Sequence, residues 1–251
     1  MQNGIEVNGI ILSVMPAGEA DRRLLLLTKE LGKVSCFARG ARRPTSSLCG
    51  STRPFAFGLF TLNQGRSAYS LSKAEIRTYF EDLPLDVEKS ACASAFCELA
   101  AYFTRENADE SGILALLYYA LRALSAGKMH KRLIQAAFEC RMLAESGLLP
   151  AFSLCARCKK TLTEGVFSTA LMQPLCRDCA GSDLRYPLSK STVYALEFIR
   201  NTAPGKLFSF ELAPSVRAEL LAVTELLLKS AVDRELPARD MLSVLLSDSG
   251  A

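Results

Sequence analysis

The residues whose types and spacing specify chemistry most directly are Cys155-Ala-Arg-Cys158 and, after seventeen intervening residues, Cys176-Arg-Asp-Cys179. A two-residue gap lets both thiolates of one turn reach a single ion, and two such turns complete a tetrahedral sulfur cage of the kind that suits zinc. Protein sulfur fills all four positions and leaves none for a water. The expected role is therefore structural: one Zn²⁺ stapling a loop-rich segment. Four thiolates overcompensate a divalent ion, and Arg157, Lys159, Lys160 and Arg177 stand beside them to offset the excess. No thioredoxin-like βαβ pattern surrounds either pair, which argues against a redox centre. Cys36, Cys49, Cys92, Cys97 and Cys140 fall mostly in apolar patterns and read as core packing.

A second chemistry is suggested by Gly32-Lys-Val-Ser-Cys-Phe-Ala-Arg-Gly-Ala-Arg-Arg-Pro44. In a strand alternate residues share a face, so Val34, Cys36 and Ala38 form a small apolar inner face. Lys33, Ser35, Phe37 and Arg39 look outward, and Arg42 and Arg43 follow at once. Cations beside a flat aromatic can grip phosphates and stack a base. The distribution of charge agrees. Residues 1–80 hold eleven Lys/Arg against five Asp/Glu, whereas the remaining chain holds 19 against 21, so the overall +4 is concentrated in the first third. A polyanion would be attracted there before contact. The candidate nucleic-acid-binding residues are Lys33, Phe37, Arg39, Arg42 and Arg43, with Arg22, Arg23 and Arg53 in second rank. A one-residue slip of register would turn Phe37 inward.

The elements that must position these residues can be read from periodicity. Ile5–Met15, Arg23–Lys29, Lys33–Arg39, Phe55–Leu62 and Arg66–Lys73 read as short strands; Glu30-Leu-Gly32 and Asn63-Gln-Gly65 close two hairpins. Five strands in about 75 residues without a helix of useful length predict a small OB-type barrel. After Asp82-Leu-Pro84 the period becomes helical: Cys92, Phe96, Leu99 and Phe103 recur at that spacing, as do Val216, Leu220, Val223 and Leu227. Ile113–Ala126 and His130–Ser146 also read as helices, the latter stopped at Gly147. The expected fold class is α+β: an OB-type domain over residues 1–80, then a mainly helical domain over 81–251 with a Cys₄ insertion at about 152–182.

The 251 residues, 49% hydrophobic and 22% charged, describe an ordinary globular protein. No apolar run approaches the ~20 residues needed to cross a bilayer, and no basic leader precedes an apolar core, so a cytoplasmic protein with reduced or metal-bound thiols is expected. Nothing asks for an enzyme. The single histidine, His130, opens a helical run where a surface or capping role suffices, and no Walker loop or nucleophile elbow occurs. Two rival readings remain. One is a metal-dependent nuclease built on Glu81, Asp82, Asp86 and Glu88, although acids at a helix start need no such role. The other is an interaction scaffold whose basic face receives an acidic partner.

Gly18-Glu-Ala-Asp-Arg22, Leu26-Leu-Thr-Lys-Glu-Leu-Gly32-Lys33, Ala38-Arg-Gly-Ala-Arg-Arg-Pro44, Arg53-Pro-Phe55, Glu145-Ser-Gly-Leu-Leu-Pro150 and the cysteine quartet together resemble the RecO family of bacterial recombination and repair mediators. The resemblance covers nearly the whole chain. It implies an OB-fold domain followed by a helical domain with an embedded zinc module, the zinc cysteines being absent from some members. It further implies binding of single- and double-stranded DNA, annealing of complementary strands, and a partnership with RecR. Together these help replace single-stranded-DNA-binding protein (SSB) by RecA. Contact with the SSB C-terminal tail, a bacterial cytoplasmic and nucleoid-associated location, and no membrane association also follow from it.

Overall fold

The computed structural model describes residues 4–65, 68–181 and 185–248, which group into two compact units. The first comprises the chain up to Ser125 together with the C-terminal helix, and the second spans Ala126–Glu235. No described helix is long and apolar enough to cross a membrane.

The first unit opens with strands β1 (Ile5–Ala17), β2 (Asp21–Thr28) and β3 (Gly32–Ala38), the four-residue helix α1 (Leu48–Ser51), and strands β4 (Phe57–Gln64) and β5 (Tyr69–Thr78). They close a barrel in the order β1-β2-β3-β5-β4, with β4 returning to β1. This is the expected five-stranded barrel, with each element displaced by a few residues; of the expected strand Arg66–Lys73, Arg66 and Ser67 lie outside the described residues. Closure depends on the length of β1. Its first half pairs with β4 (Ile5↔Leu62 to Ile10↔Phe57) and its second half with β2, after a bulge between Ile11 and Ser13 that turns the strand from one side of the barrel to the other. Gly9 and Gly58 are register partners at this bend; a Cβ on the first would strike the Leu27 carbonyl and on the second the Glu75 carbonyl. A short parallel pairing, Cys36↔Tyr69 and Phe37↔Ser70, completes the circle.

Alternation places Val7, Ile11, Leu24, Leu26, Val34, Cys36, Phe60, Leu62 and Leu71 inside, and Ala41, Leu48 and Ala56 from the β3–β4 connection plug one end. Burial lifts the Cys36 thiol to about 12, so it behaves as a small apolar group. Cys92, Cys97 and Cys140 are likewise buried, and Cys49 is half-buried.

Helix α2 (Val87–Phe103) begins at Asp86, whose carboxylate accepts the Lys89 N–H at 2.9 Å. Small residues (Ala91, Ala93, Ala95, Ala100) around Cys92, Phe96, Cys97 and Leu99 are buried on more than one side, so it is the central helix of this unit. Helix α3 (Ser111–Ala126) follows, and one end of α2 is tied to it. The Asp82 carboxylate accepts the Ser125 hydroxyl at 2.6 Å and the Lys89 ammonium at 3.0 Å.

In the second unit α4 (Lys131–Glu145) starts at His130, whose ring nitrogen accepts the Arg132 N–H, and stops at Gly147 in the left-handed region (φ 73°). Strands β6 (Gly165–Ser168), β7 (Gln173–Leu175) and β8 (Arg185–Leu188) form a small sheet in the order β7-β6-β8, followed by α5 (Lys190–Asn201), α6 (Pro204–Leu207) and α7 (Pro214–Ala231). The last helix, α8 (Pro237–Asp248), belongs to the first unit, where Glu98 of α2 accepts the Arg239 N–H at 3.1 Å in its opening turn.

Arg141 of α4 caps α5: one guanidinium nitrogen reaches the carbonyls of Ile199, Arg200 and Thr202 at 3.2, 2.5 and 3.0 Å, while the others hold Glu145 at 2.6–2.9 Å. A cation here satisfies orphan carbonyls at the negative end of the helix. Arg141→Met is expected to destabilise the second unit by about 2–3 kcal/mol, since carbonyls at a part-buried helix end lose a charged donor; denaturant titration monitored by circular dichroism measures it.

Candidate metal centre and nucleic-acid interface

The cysteine quartet is assembled from two turns that the small sheet brings together. In the first, the Cys155 N–H donates to the Lys160 carbonyl and the Lys159 N–H to the Cys155 carbonyl, both at 2.9 Å, with Lys159 itself at φ 60°. The second lies beyond β7, where the Cys179 N–H donates to the Cys176 carbonyl at 3.1 Å. The Cys176 N–H points at Cys155 Sγ (3.4 Å), the Ala156 N–H donates to the Pro174 carbonyl (3.0 Å), and Arg157 donates to the Cys179 carbonyl (3.0 Å), so the turns are cross-laced. All four Sγ atoms lie within 4.8 Å of one another, and Cys158 and Cys176 are separated by 3.7 Å. Ligands about 2.3 Å from a tetrahedral ion stand about 3.8 Å apart, so the cage has the dimensions of a metal–thiolate site. It is the only such grouping of His, Cys, Asp or Glu among the described residues.

The thiols of the cage sit in opposed environments. Desolvation raises the Cys155 thiol, but backbone N–H groups of Cys158, Cys176 and Arg157 outweigh it and bring it down to about 6. Cys179 is pushed up to about 12, chiefly by hydrogen bonding to Cys176 and Cys158 and also by the charge of Cys155. Leu162 and Leu175 pack against the cage, and its inner ligands Cys155 and Cys176 are buried while Cys158 faces solvent. Glu197 of α5 accepts the N–H groups of Phe152 and Ser153 at 2.6 and 3.0 Å, anchoring the segment that leads into it. Of the adjoining cations, Arg177 pairs with Glu164 at 3.0 Å, and Lys159 and Lys160 are exposed.

The basic segment of the barrel has the predicted alternation. Val34, Cys36 and Ala38 are buried and Phe37 is 37% exposed, so no slip has occurred. Arg23 lies opposite Phe37 in the β2–β3 register and donates to Ser35 Oγ at 3.0 Å. Arg39 continues this outer face, and the loop after it brings Arg42 and Arg43 round. Arg23, Arg39, Arg42 and Arg43 are exposed, and none pairs with a carboxylate among the described residues.

The motif Gly18-Glu-Ala-Asp-Arg22 positions this loop, a role that composition and periodicity did not disclose. Asp21 accepts the Gly40 N–H at 2.7 Å, the Arg42 N–H donates to the Ala20 carbonyl at 2.9 Å, and the Arg42 guanidinium donates to the Gly18 carbonyl at 3.0 Å. Arg22, half-buried, spends its donors on the Cys49 and Thr52 carbonyls and the Thr52 hydroxyl at 2.7–3.1 Å, capping α1. Arg53 lies just beyond and lines a separate groove of about 960 Å³ with Phe55, Tyr79 and Leu85.

Lys33 occupies the opposite end of β3, six residues and roughly 20 Å from Arg39. Its ammonium donates to the Ala101 carbonyl near the C-terminal end of α2 at 2.6 Å, and its N–H to the Arg105 carbonyl at 2.9 Å. The neighbouring Gly32, at φ 64°, has no room for a Cβ beside the Arg105 and Ala108 carbonyls. Lys33 thus rivets the barrel to α2. Lys33→Met is expected to cost about 1–2 kcal/mol, through the lost charged hydrogen bond and helix-end interaction, while changing DNA affinity less than twofold. Urea titration and fluorescence anisotropy with a labelled oligonucleotide separate the two effects.

The acids of the nuclease reading do not converge: Asp82 is engaged by Lys89 and Ser125, and Asp86 caps α2.

Two family models divide the chain between them, one described as recombination protein O N-terminal over residues 1–80, the other as recombination protein O C-terminal over residues 84–240. The chain belongs to the RecO family. Relatives named DNA repair protein RecO extend along almost its whole length. That of Clostridium perfringens strain 13 is 29% identical over 242 residues (96% of this chain, 98% of the relative), and that of Anaeromyxobacter sp. strain K 32% identical over 243 residues (95% of each). The protein from Desulforudis audaxviator is 38% identical over 179 residues, 71% of both chains. The barrel of this RecO family member is coextensive with the N-terminal model, and the cysteine cage lies within the C-terminal one.

Proposed function

We propose that this chain is a recombination mediator that binds single- and double-stranded DNA through the outer face of its barrel and anneals complementary strands. With RecR it helps load RecA onto DNA coated by SSB, whose C-terminal tail is a further partner. The barrel, residues 1–80, is the nucleic-acid-binding domain, and residues 81–251 form a helical domain stapled by one Zn²⁺ on Cys155, Cys158, Cys176 and Cys179. It acts in the bacterial cytoplasm, at the nucleoid, without enzymatic chemistry of its own.

The observation that carries this reading is the exposed constellation of Arg23, Phe37, Arg39, Arg42 and Arg43, its loop held in place by Asp21 and unmatched by carboxylates among the described residues. Arginines there neutralise phosphates, and Phe37 stacks on a base. Lys33, Arg22 and Arg53 add only weak attraction to the strand without a direct phosphate contact, the first two because their charged ends already serve the fold. Lowering the repulsion between two strands on one surface lets base pairing proceed without nucleotide hydrolysis. Phosphate contacts carry no sequence information, so no preferred sequence is expected.

The test is annealing of complementary oligonucleotides, with and without SSB, followed across a salt series. Four phosphate contacts on a single strand predict that log affinity falls with log salt at a slope of about −3. Annealing no faster than in protein-free controls, or a slope near zero with intact affinity, overturns the reading.

A further inference from the structure

Helix α5 carries Lys190, Tyr194 and Phe198 at successive four-residue intervals, so the three form one stripe with about 6 Å between neighbours along the axis. Tyr194 is 73% exposed, among the most exposed large side chains of the molecule. Its ring stacks over Phe198 (centroids 6.5 Å apart, planes at 21°), and Phe210 meets Phe198 edge-on at 5.1 Å. With Ser191, Glu211 and Leu212 these residues line a cavity of about 510 Å³ inside the second unit. That is a ligand-sized volume, and none of its lining residues belongs to the barrel or the cysteine cage.

We propose that this cavity receives an unstacked base of single-stranded nucleic acid. The aromatic wall offers a π-face of the sort on which bases stack. Lys190 is within a helical turn of it, where a flanking phosphate can be met. Glu211 and the Ser191 hydroxyl supply hydrogen-bonding groups, and a carboxylate accepts from the exocyclic amino groups of cytosine, adenine or guanine. Lys190 and Glu211 both line the cavity, so recognition there rests on the aromatic face and the hydrogen-bonding edge of the base rather than on net charge. A base held here is kept unstacked from its neighbours and leaves the cavity before it pairs. The inference rests on the reading that the chain binds single strands, but it places a second hold on residues independent of the barrel arginines.

The experiment compares full-length wild type with Tyr194→Ala, Tyr194→Phe and Glu211→Gln, using fluorescein-labelled oligo(dC) and oligo(dT) and, separately, dCMP. Tyr194→Ala is expected to weaken oligo(dC) binding roughly 10-fold, the scale of one lost stacking partner, with metal content and salt slope unchanged, and Tyr194→Phe to restore it. Glu211→Gln should narrow the preference of oligo(dC) over oligo(dT). A strand carrying 5-iodouracil should cross-link to the peptide containing Tyr194. Unchanged affinity in Tyr194→Ala together with no such cross-link overturns the proposal, and the barrel reading survives if an Arg39/Arg42/Arg43 variant still loses binding. Saturation by dCMP as tight as by the oligonucleotide reassigns the cavity to free nucleotide and overturns it. So does an acidic peptide whose binding, but not that of DNA, is lost in Tyr194→Ala.

Discussion

Replacing Arg39, Arg42 and Arg43 together by alanine is expected to lower single-strand affinity roughly 50-fold at 0.15 M salt and to shrink the salt slope from about −3 to about −1. Both figures follow from counterion release, which contributes a factor of about four per phosphate contact on a single strand at that ionic strength. The three arginines are exposed, and among the described residues the one internal hydrogen bond of their side chains runs from Arg42 to the Gly18 carbonyl. Removing them leaves the barrel core and the Asp21–Gly40 tie in place, so the folded state should survive with its metal content intact. Annealing should fall with affinity. A variant that keeps wild-type affinity and slope removes the barrel face from the mechanism. One that loses DNA binding together with secondary structure has lost its fold, and single Arg39→Gln and Arg43→Gln variants, each lowering the slope by about 0.7, then decide the matter.

Why the outward face that carries these arginines could be read from the sequence, and the tie that Lys33 makes could not, is a question of range. Strand alternation is local: with period two, the buried Val34, Cys36 and Ala38 fix the direction of Phe37 without reference to anything beyond β3. The cysteine cage is legible for the same reason, each half being a single turn. Lys33 has the same local pattern as Arg39, but its partner, the Ala101 carbonyl, lies 68 residues away. Arg22 reaches carbonyls 27 and 30 residues ahead, and Asp21 a backbone N–H 19 residues ahead. No periodicity carries such pairings. The parallel contact of β3 with β5 and the packing of α8 on α2 depend likewise on chain closure over long distances. In the resemblance, Gly18-Glu-Ala-Asp-Arg22 served to recognise a family; in the structure it is the brace that aims the arginine loop.

The largest effect expected of any single treatment is that of stripping the metal. The segment from Phe152 to Leu188 has a three-stranded sheet of only four, three and four residues and a small apolar cluster around Leu162 and Leu175. With Phe152, Phe167 and Leu188 also buried, the segment has only a modest core of its own to set against the entropy of ordering it. On the proposed reading a bound ion supplies the remainder; in isolated small modules it is worth up to about 10–16 kcal/mol apparent, and less where Glu197 already anchors one end. Chelation at neutral pH, or Cys176→Ser at a buried ligand, should therefore melt the sheet and lower the midpoint of the second unit by tens of degrees, with one equivalent of zinc released per chain. Hydrogen exchange over 152–188 reads this directly. The pH dependence has a definite sign. Metal binding needs thiolates, so affinity falls as pH falls. Cys179, held up to about 12, must surrender a proton throughout the physiological range, whereas Cys155, brought down to about 6, need do so only below that pH. The plot of log affinity against pH should accordingly steepen by one below about pH 6, when Cys155 joins the protons to be displaced. Serine at the exposed Cys158 leaves the buried ligands in place and should weaken retention less than Cys176→Ser. If the sheet persists unchanged after complete chelation, the apolar cluster and the Glu197 anchor suffice to hold it, and the ion is not its staple.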